Sequence, residues 1–201
     1  MAFEQRGKSG GSRKRSPGFS HSRSETDGEE SGKPAREKKP PTPERLEQRA
    51  RNVLLHQLAK SAKSTEQLRK ILENREIPTE ISERVLERFT EVGLIDDKAF
   101  AETVVNSRRN FKGLSKSAIK RELNEKGVPA AFIESALEPI TAEDDFETAK
   151  DLAVRRSRQM TSLTREVRER RLAGYLGRKG YPSSMVFAAI KFAETQNEDV
   201  G

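Results

Sequence analysis

The chain has 201 residues, of which 32% are hydrophobic and 35% are charged, and its net charge is +7. It has no cysteine, so disulfides, thiolate metal sites and cysteine nucleophiles are excluded. No apolar run approaches the ~20 residues that cross a bilayer, and the N-terminus lacks the apolar core of a secretory signal, so we expect a cytoplasmic protein.

The first segment, residues 1–43, is predicted to be a disordered basic tail. It is rich in Gly, Ser, Pro and charged residues and, apart from Phe3 and Phe19, nearly lacks large apolar side chains. Such a segment cannot bury enough surface to offset the entropy that it would lose on ordering. Its Arg13-Lys14-Arg15 run either contacts phosphates or stays solvated, and the solvated alternative is favoured.

Helical structure is predicted to begin at Thr42-Pro43-Glu44, where Thr caps the helix, Pro opens it and Glu complements its dipole. From there apolar residues recur with helical periodicity almost to the end, and no alternating β-branched stretch interrupts them. The first unit, residues 44–95, therefore reads as three helices, which we call A, B and C in chain order. Helix B begins at a capping box formed by Ser64 and Gln67, and helix C follows Pro78.

The same pattern recurs in residues 96–141 and 142–195, and a C-terminal tail is predicted at 196–201. Each copy has a proline before helix C, and successive prolines are about 50 residues apart. Counted from these prolines, four apolar columns keep their register: Leu68, Ile119 and Leu172; Leu72, Leu123 and Leu176; Ile81, Phe132 and Met185; Leu86, Leu137 and Ile190. The sequence therefore predicts an all-α fold, a tandem array of three three-helix bundle repeats.

The turn between helices B and C differs in the first copy. Gly127 and Gly180 can take the left-handed conformation that ends a helix, and the following proline then opens helix C. The first copy has Glu76 at this position. A non-glycine residue there costs about 1 kcal/mol, so we expect that turn to be looser or differently closed.

No pattern of catalytic residues is present. The pairs Asp96-Asp97 and Asp144-Asp145 stand where helices start, so we expect them to cap helices rather than to act as acid and base. No His, Asp and Glu cluster has metal-ligand spacing, and there is no Gly-rich phosphate loop or nucleophile elbow. We expect no cofactor and no metal, and a protein that is not an enzyme.

Basic residues on the second and third units are the candidate binding face. Residues 151–182 contain nine Arg or Lys and three Asp or Glu. The excess favours a polyanionic partner over charge that only aids solubility. The candidate contact residues are Arg108, Arg109, Lys112, Lys116, Lys120, Arg121, Lys126, Arg155, Arg156, Arg158, Arg165, Arg168, Arg171, Arg178 and Lys179.

Several interpretations of these cations stay open. Arg and Lys near helix C-termini also complement the dipole and coat solvated faces. Arginine forks suit carboxylates and phosphates alike, so the partner is an acidic protein surface or a nucleic-acid backbone. Aromatic residues are few, which gives little support for base stacking on single strands. A helix–turn–helix reader of duplex DNA is a weaker alternative, because the residues that open helix C are poor readers of base edges.

Parts of the sequence resemble the RecX family, the bacterial regulators of the RecA recombinase. The resemblance lies in Gly93-Leu-Ile-Asp-Asp97 with Phe100-Ala101, in Ser107-Arg-Arg109 with Lys112-Gly113, and in Ile119-Lys-Arg-Glu-Leu123-Asn-Glu-Lys-Gly-Val128. It continues through the repeated B and C helices over about residues 44 to 194. The tail lies outside it, and Glu76 replaces the usual turn glycine of the family.

The resemblance implies a tandem three-helix protein that binds along the RecA–DNA filament, in some members also DNA itself. Such a protein would damp the ATPase and strand exchange of RecA and alter filament assembly, and so affect recombinational repair and the SOS response. It implies no catalytic residues. We expect a monomer that binds the RecA filament and single- or double-stranded DNA. We expect no binding to a membrane. The alternative is a general nucleic-acid-binding helical protein or a transcriptional regulator.

Overall fold

The computed structural model describes residues 42–198, and its regular structure over this range is entirely helical. The α-helices are α1 Pro43–Lys60, α2 Thr65–Glu73, α3 Thr79–Glu91, α4 Asp97–Ser107, α5 Lys116–Glu125, α6 Ala130–Leu137, α7 Ala142–Ser157, α8 Arg165–Arg178 and α9 Ser183–Glu198. A short π-helix, Arg108–Lys112, follows α4, and a 3-10 turn, Arg158–Met160, follows α7. The predicted all-α fold of three three-helix repeats is confirmed.

The two predicted tails fall largely outside this range. Residues 1–41 of the predicted basic tail and residues 199–201 of the predicted C-terminal tail lie outside the described residues. Helix α9 continues to Glu198, so residues 196–198 have helical backbone. No helix between residues 42 and 198 combines the length and the apolar character needed to cross a membrane.

Local hydrogen bonds fix the helix starts that the sequence indicates. The Thr42 hydroxyl accepts from the Arg45 amide at 3.4 Å, which caps α1. Ser64 and Gln67 form the predicted capping box of α2, with both hydrogen bonds at 3.2 Å. These bonds satisfy N–H groups that have no partner within the helix.

Each repeat has a core of its own, in which its first helix packs against its third and its second closes the bundle. The first two predicted apolar columns are completely buried: Leu68, Ile119 and Leu172, and Leu72, Leu123 and Leu176. The third column is less regular, because Phe132 is 37% exposed and Met185 is half-buried. Neighbouring core residue Ile133 fills the second bundle instead.

The turn before helix C has the same geometry in all three repeats. Glu76 has φ 58°, beside 71° for Gly127 and 87° for Gly180. The residue after it donates to the carbonyl five residues back in each case, as from Ile77 to Leu72 at 3.2 Å and from Tyr181 to Leu176 at 3.3 Å. The prediction of a looser or differently closed first turn is wrong, since Glu76 adopts the left-handed conformation itself.

A repeated joint connects the start of helix B in one repeat to the next repeat. At the first joint the Ser64 hydroxyl, at the cap of α2, donates to the carbonyl of Lys126 at the end of α5, 2.5 Å away. The Thr65 amide, the first of α2, donates to the Asp97 carboxylate in the first turn of α4 at 2.8 Å. The N-terminus of α2 is therefore held by both α4 and the C-terminal turn of α5.

The second joint has contacts at the same two positions, although the donor at the cap is a backbone amide rather than a hydroxyl. The Ser115 amide, at the cap of α5, donates to the carbonyl of Lys179 at 3.0 Å. The Lys116 amide, the first of α5, donates to the Asp145 carboxylate in the first turn of α7 at 3.0 Å. Asp145 is buried and also pairs with Arg109. The repeats are thus joined by equivalent bonds, and they fall in one structural unit.

The hydroxyl of Tyr181 strengthens the second joint. It donates to the carbonyl of Gly113 at 3.1 Å, and burial raises the pKa of this phenol to about 12. Gly113, with φ 56°, ends the π-helix of the second repeat. The π-helix is therefore fixed from the third repeat as well as from its own bundle.

Candidate anion-binding groove

The structure gives some of the candidate basic residues an internal role. Arg108 donates to both oxygens of Glu122 at 2.7 and 2.6 Å, which lowers the pKa of that carboxyl below its usual range. Arg168 binds Glu194 with its Nε at 2.7 Å, and the same hydrogen bonding lowers the pKa of Glu194. Glu194 is 3% exposed. Both arginines hold two helices of one repeat together.

Three further candidates lie within the joints or beside them. Arg109 pairs with the buried Asp145. The Lys116 ammonium donates to the carbonyl of Ile140 at 2.7 Å, and Lys126 lies 3.6 Å from Glu122. A partner that took over these groups would leave buried carboxylates or carbonyls unpaired, so they are poor candidates for direct contact.

The remaining candidates are exposed or half-buried. Arg121 and Arg165 face carboxylates on their own helices, at 4.0 Å from Glu125 and 2.8 Å from Glu169. Ion pairs of this exposed kind are weak and are easily exchanged for a ligand. Of this remaining set, Lys179 is half-buried and bonded to the carbonyl of Lys112, and nine residues are exposed: Lys112, Lys120, Arg121, Arg155, Arg156, Arg158, Arg165, Arg171 and Arg178.

A groove in the third repeat collects part of this set. Its volume is about 670 Å³, and we name it the α8 groove. Its wall is formed by the end of α7, the 3-10 turn that follows, and one face of α8. No carboxylate is among its lining residues, which are Arg156, Gln159, Met160, Arg170, Arg171, Gly174, Tyr175 and Arg178.

Helical spacing accounts for the groove. Residues four apart on a helix share a face, so Arg170, Gly174 and Arg178 lie along one line, with Arg171 and Tyr175 beside it. Arg178 and the adjoining Lys179 also lie at the C-terminus of α8, where the dipole favours cations.

The Tyr175 ring holds two of the cations. The Arg156 guanidinium lies 5.7 Å from the centre of the ring, and the Lys179 ammonium lies 5.0 Å from it. Lys179 also donates to the carbonyl of Lys112 in the second repeat. The aromatic ring thus places positive charge along the edge of the groove, towards the joint with the second repeat.

Arg156, Arg171 and Arg178 are among the predicted contact residues, and the rest of the lining is not, although Arg170 counts among the nine basic residues of the segment 151–182. Arg170 and Gly174 could have been found from their four-residue spacing to Arg178. The contributions of Gln159 and Met160 could not, since they depend on how the 3-10 turn folds back towards α8.

The paired aspartates are divided between two roles. Asp96 and Asp144 cap their own helices, through the Ala99 amide at 2.9 Å and the Thr141 amide at 2.8 Å, as predicted. Asp97 and Asp145 instead accept from the preceding repeat across the joints. Within residues 42–198, no group of three or more His, Cys, Asp or Glu residues could hold a metal ion.

A second, shallower basic depression lies on the first repeat. It has a volume of about 450 Å³, and its lining includes Arg45, Arg49, Arg75 and His56. These residues are not among the predicted contacts, because their cations are spread between helix α1 and the turn after α2.

Comparison with known families matches each repeat separately. Residues 50–89, 96–137 and 143–190 match the models of the first, second and third three-helix domains of RecX. The regulatory protein RecX of Streptomyces coelicolor is 44% identical over 164 residues, which cover 81% of this chain and 87% of that protein. That of Thermobifida fusca is 38% identical over 149 residues, covering 74% and 80%.

Solved structures have the same fold. The crystal structure of RecX from Lactobacillus salivarius superposes with a TM-score of 0.63 at 19% identity, covering 75% of this chain and 97% of that one. A crystal structure of another regulatory protein RecX gives a TM-score of 0.61 at 28% identity, covering 74% and 73%.

Proposed function

The chain belongs to the RecX family, and from that premise we propose that it regulates the RecA recombinase, mainly as an inhibitor, by binding along the RecA–DNA filament. Its relatives are named regulatory proteins. Regulation of RecA would place the chain in recombinational DNA repair and the SOS response. The proposed site of action is the cytoplasm.

The observation that carries this proposal is the array of linked repeats. Equivalent hydrogen bonds join α2 to the second repeat and α5 to the third, so the repeats keep a fixed order and spacing. A row of fixed modules suits a polymeric partner, whose own repeating units can be contacted in succession. Several weak contacts made at once would then give a high combined affinity.

The proposed contact surface is built from the exposed cations and Lys179 rather than from all the candidates. The internal pairs of Arg108, Arg109 and Arg168 stabilise the bundles. The proposed contacts are Lys112, Lys120, Arg121, Arg155, Arg156, Arg158, Arg165, Arg171, Arg178 and Lys179.

No covalent chemistry is required for this activity. A protein that binds one state of a filament more tightly than another shifts the equilibrium between those states. Preferential binding to a state that turns over slowly would lower both ATP hydrolysis and strand exchange. The proposed mode of action is therefore non-enzymatic and depends only on preferential binding to one filament state.

The test measures ATP hydrolysis and strand exchange by RecA on single-stranded DNA while the protein is added up to stoichiometric ratios. We expect both activities to fall. The double reversal Arg171→Glu/Arg178→Glu should weaken the inhibition, and Lys60→Glu/Lys98→Glu, which changes the net charge equally on exposed residues elsewhere, should not. Unchanged RecA activity at stoichiometric wild-type protein would contradict the proposal.

The α8 groove favours one second candidate, a general nucleic-acid-binding protein that acts without RecA. This candidate predicts tight binding to bare DNA that falls steeply as salt rises. The two are separated at physiological salt by comparing binding to bare DNA with co-sedimentation on RecA filaments. Binding that persists on filaments and disappears on bare DNA would exclude the second candidate.

A further inference from the structure

The α8 groove has positive charge that the fold itself does not neutralise. Among the described residues, no carboxylate forms an ion pair with Arg156, Arg170, Arg171 or Arg178. Elsewhere in the same repeat Arg168 is fully engaged by Glu194. Four guanidinium groups around one concave surface repel one another, and an anionic ligand would relieve that repulsion.

Two glycines within α8 are not required by its packing. A Cβ at Gly177 would meet nothing within 4 Å, and one at Gly174 would meet only the flexible end of Arg178 at 3.3 Å. Glycine inside a helix weakens the helix relative to alanine. Packing within the repeat therefore does not explain why positions 174 and 177 are glycine. Gly174 lines the groove and Gly177 does not. The missing side chain at 174 lets a ligand reach the helix backbone between the arginines.

The lining favours a nucleic-acid backbone over an acidic protein. Interfaces between proteins also use Arg, Tyr and Met, but as a whole they are about as apolar as the rest of a protein surface. Interfaces with nucleic acid are more polar and far more positive. Here arginines make up half of the lining, and the one aliphatic side chain, Met160, is buried. Arginine forks match the phosphate oxygens of a phosphodiester backbone.

An exposed aromatic residue lies beside the same surface. Phe111 is 88% exposed, and it precedes Lys112, whose carbonyl accepts from Lys179 at the edge of the groove. Tyr181 also holds the carbonyl of Gly113, so the turn that presents Phe111 is fixed. A solvent-facing ring on a chain segment that is bonded to the edge of a cationic groove gives unpaired bases a surface to stack on. Bases in a duplex are already stacked on one another.

We propose that the α8 groove and Phe111 together bind single-stranded nucleic acid. The phosphates lie against Arg170, Arg171 and Arg178 over Gly174, and an unstacked base lies on Phe111. This strand site deepens the proposed function. It rests on that function only for the identity of the ligand, which would be the single strand within the RecA filament. The binding itself requires no RecA.

The first test is fluorescence anisotropy of the full chain with a labelled single strand of about 20 nucleotides and a duplex of equal length, without RecA. Arg171→Glu/Arg178→Glu should weaken single-strand binding at least about tenfold and lower its salt dependence. Lys60→Glu/Lys98→Glu, with the same change in net charge, should bind within about twofold of wild type. Equal losses in the two variants would overturn the site, because net charge alone would then explain binding.

Two further substitutions test the groove and the ring. Gly174→Leu fills the groove and should reduce strand binding at least about fivefold, while Gly177→Leu, on the same helix, should leave it unchanged. Both replace glycine by a better helix former, so neither should lower the melting temperature.

Phe111→Ala should weaken single-strand binding about tenfold and duplex binding little. The proposal would be contradicted if Gly174→Leu bound single strands as well as wild type, or if Phe111→Ala weakened strand and duplex binding equally. It would also be contradicted if polyglutamate competed for the protein as strongly as unlabelled single strands do.

The two proposals can fail separately. Inhibition of RecA by wild-type protein together with unaltered strand binding by these variants would overturn the strand site and leave the proposed function. Strand binding that follows the variants, in a protein with no effect on RecA, would overturn the proposed function and leave the strand site.

Discussion

At the scale of residues, the three B–C turns show how one backbone conformation is reached with different side chains. Gly127 and Gly180 meet the preceding repeat, so an added Cβ would lie 2.3 Å from Glu66 and 2.6 Å from Ala118 respectively. Glu76 has the same left-handed φ, but it belongs to the first repeat, and among the described residues no preceding repeat contacts its turn. Positions 127 and 180 therefore favour glycine for both φ and space, whereas at position 76 only the left-handed φ favours it, and Glu76 adopts that φ without glycine.

This difference predicts unequal effects of substitution. Glu76→Gly should raise the free energy of unfolding by about 0.5–1 kcal/mol, since relief of the left-handed strain exceeds the added entropy of the unfolded chain. Gly180→Ala should lower it by about 3 kcal/mol, because strain and overlap act together. Gly93→Ala, at φ 72° in open space, is the matched control and should lower it by about 1 kcal/mol. Urea denaturation measures all three, and equal losses for Gly180 and Gly93 would contradict the close packing.

The Arg168–Glu194 pair predicts acid sensitivity. Hydrogen bonds from Arg168 lower the pKa of Glu194 in the folded protein. Its stabilisation is therefore complete above the unfolded pKa, about 4.3, and is lost as the pH falls through the lower folded value. Glu194→Gln should reduce the free energy of unfolding by about 2–3 kcal/mol at neutral pH, and the difference from wild type should disappear in acid.

The control for this pair is Glu91→Gln, which removes an exposed ion pair with Arg88 on one helix. It should change the free energy of unfolding by less than about 0.5 kcal/mol at any pH. Urea denaturation between neutral and acid pH makes the comparison. A difference between wild type and Glu194→Gln that stays constant with pH would show that the carboxylate charge is not involved.

At the scale of elements, first-turn aspartates connect helices of successive repeats. Asp145 accepts from the first amide of α5 and from Arg109, and it is buried. The carboxylate of Asp144, its neighbour in sequence, accepts from the amide and hydroxyl of Thr141 at the cap of its own helix, and Asp144 is exposed. Adjacent carboxylates therefore do different work, one between repeats and one within a helix.

Asp145→Ala should lower the free energy of unfolding by about 3 kcal/mol, because it leaves Arg109 unpaired in the joint. It should also split urea unfolding into two transitions, as expected when one interface of a repeat array is weakened. Asp144→Ala should cause a clearly smaller loss and keep a single transition. Hydrogen exchange at the Lys116 amide gives an independent reading, and protection there that survives Asp145→Ala would contradict the joint.

The elements could be predicted from the sequence, but the joints could not. Apolar columns such as Leu68, Ile119 and Leu172 identify the helices, since a helix buries one face at a fixed period. Ser64 and Asp97 signal helix caps, and capping is a local property. That each also contacts another repeat depends on how the bundles are placed, which no local spacing encodes. The candidate site was split for the same reason, because Arg109 and Arg171 look alike in sequence and only the fold pairs Arg109 with the buried Asp145.

At the scale of the whole molecule, the repeats are expected to act together on a long partner. The first repeat is connected to the others through Ser64, Thr65 and Asp97, whereas the strand site proposed above involves the second and third repeats only. Loosening the first joint should therefore affect filament binding and strand binding differently.

Asp97→Ala removes the carboxylate that holds the Thr65 amide and should raise the concentration of protein needed for half-inhibition of RecA several-fold, because fewer modules bind at once. Its affinity for a single strand should stay within about twofold of wild type. Glu102→Ala, an exposed change on the same helix, should alter neither. Equal inhibition by Asp97→Ala and wild type would indicate that the repeats do not need a fixed spacing.

The joints also give the molecule a direction. Helices α8, α5 and α2 follow one another end to start, with the carbonyls of Lys179 and Lys126 meeting the caps of the next helix. The partial charges of helix ends cancel where two such ends meet and persist at the outer ends, positive at the start of α8 and negative after α2. Turning the protein end to end along a polymeric partner would exchange the positions of these two charged ends. On a polymer whose own subunits point one way, the two orientations of the chain would therefore differ in energy.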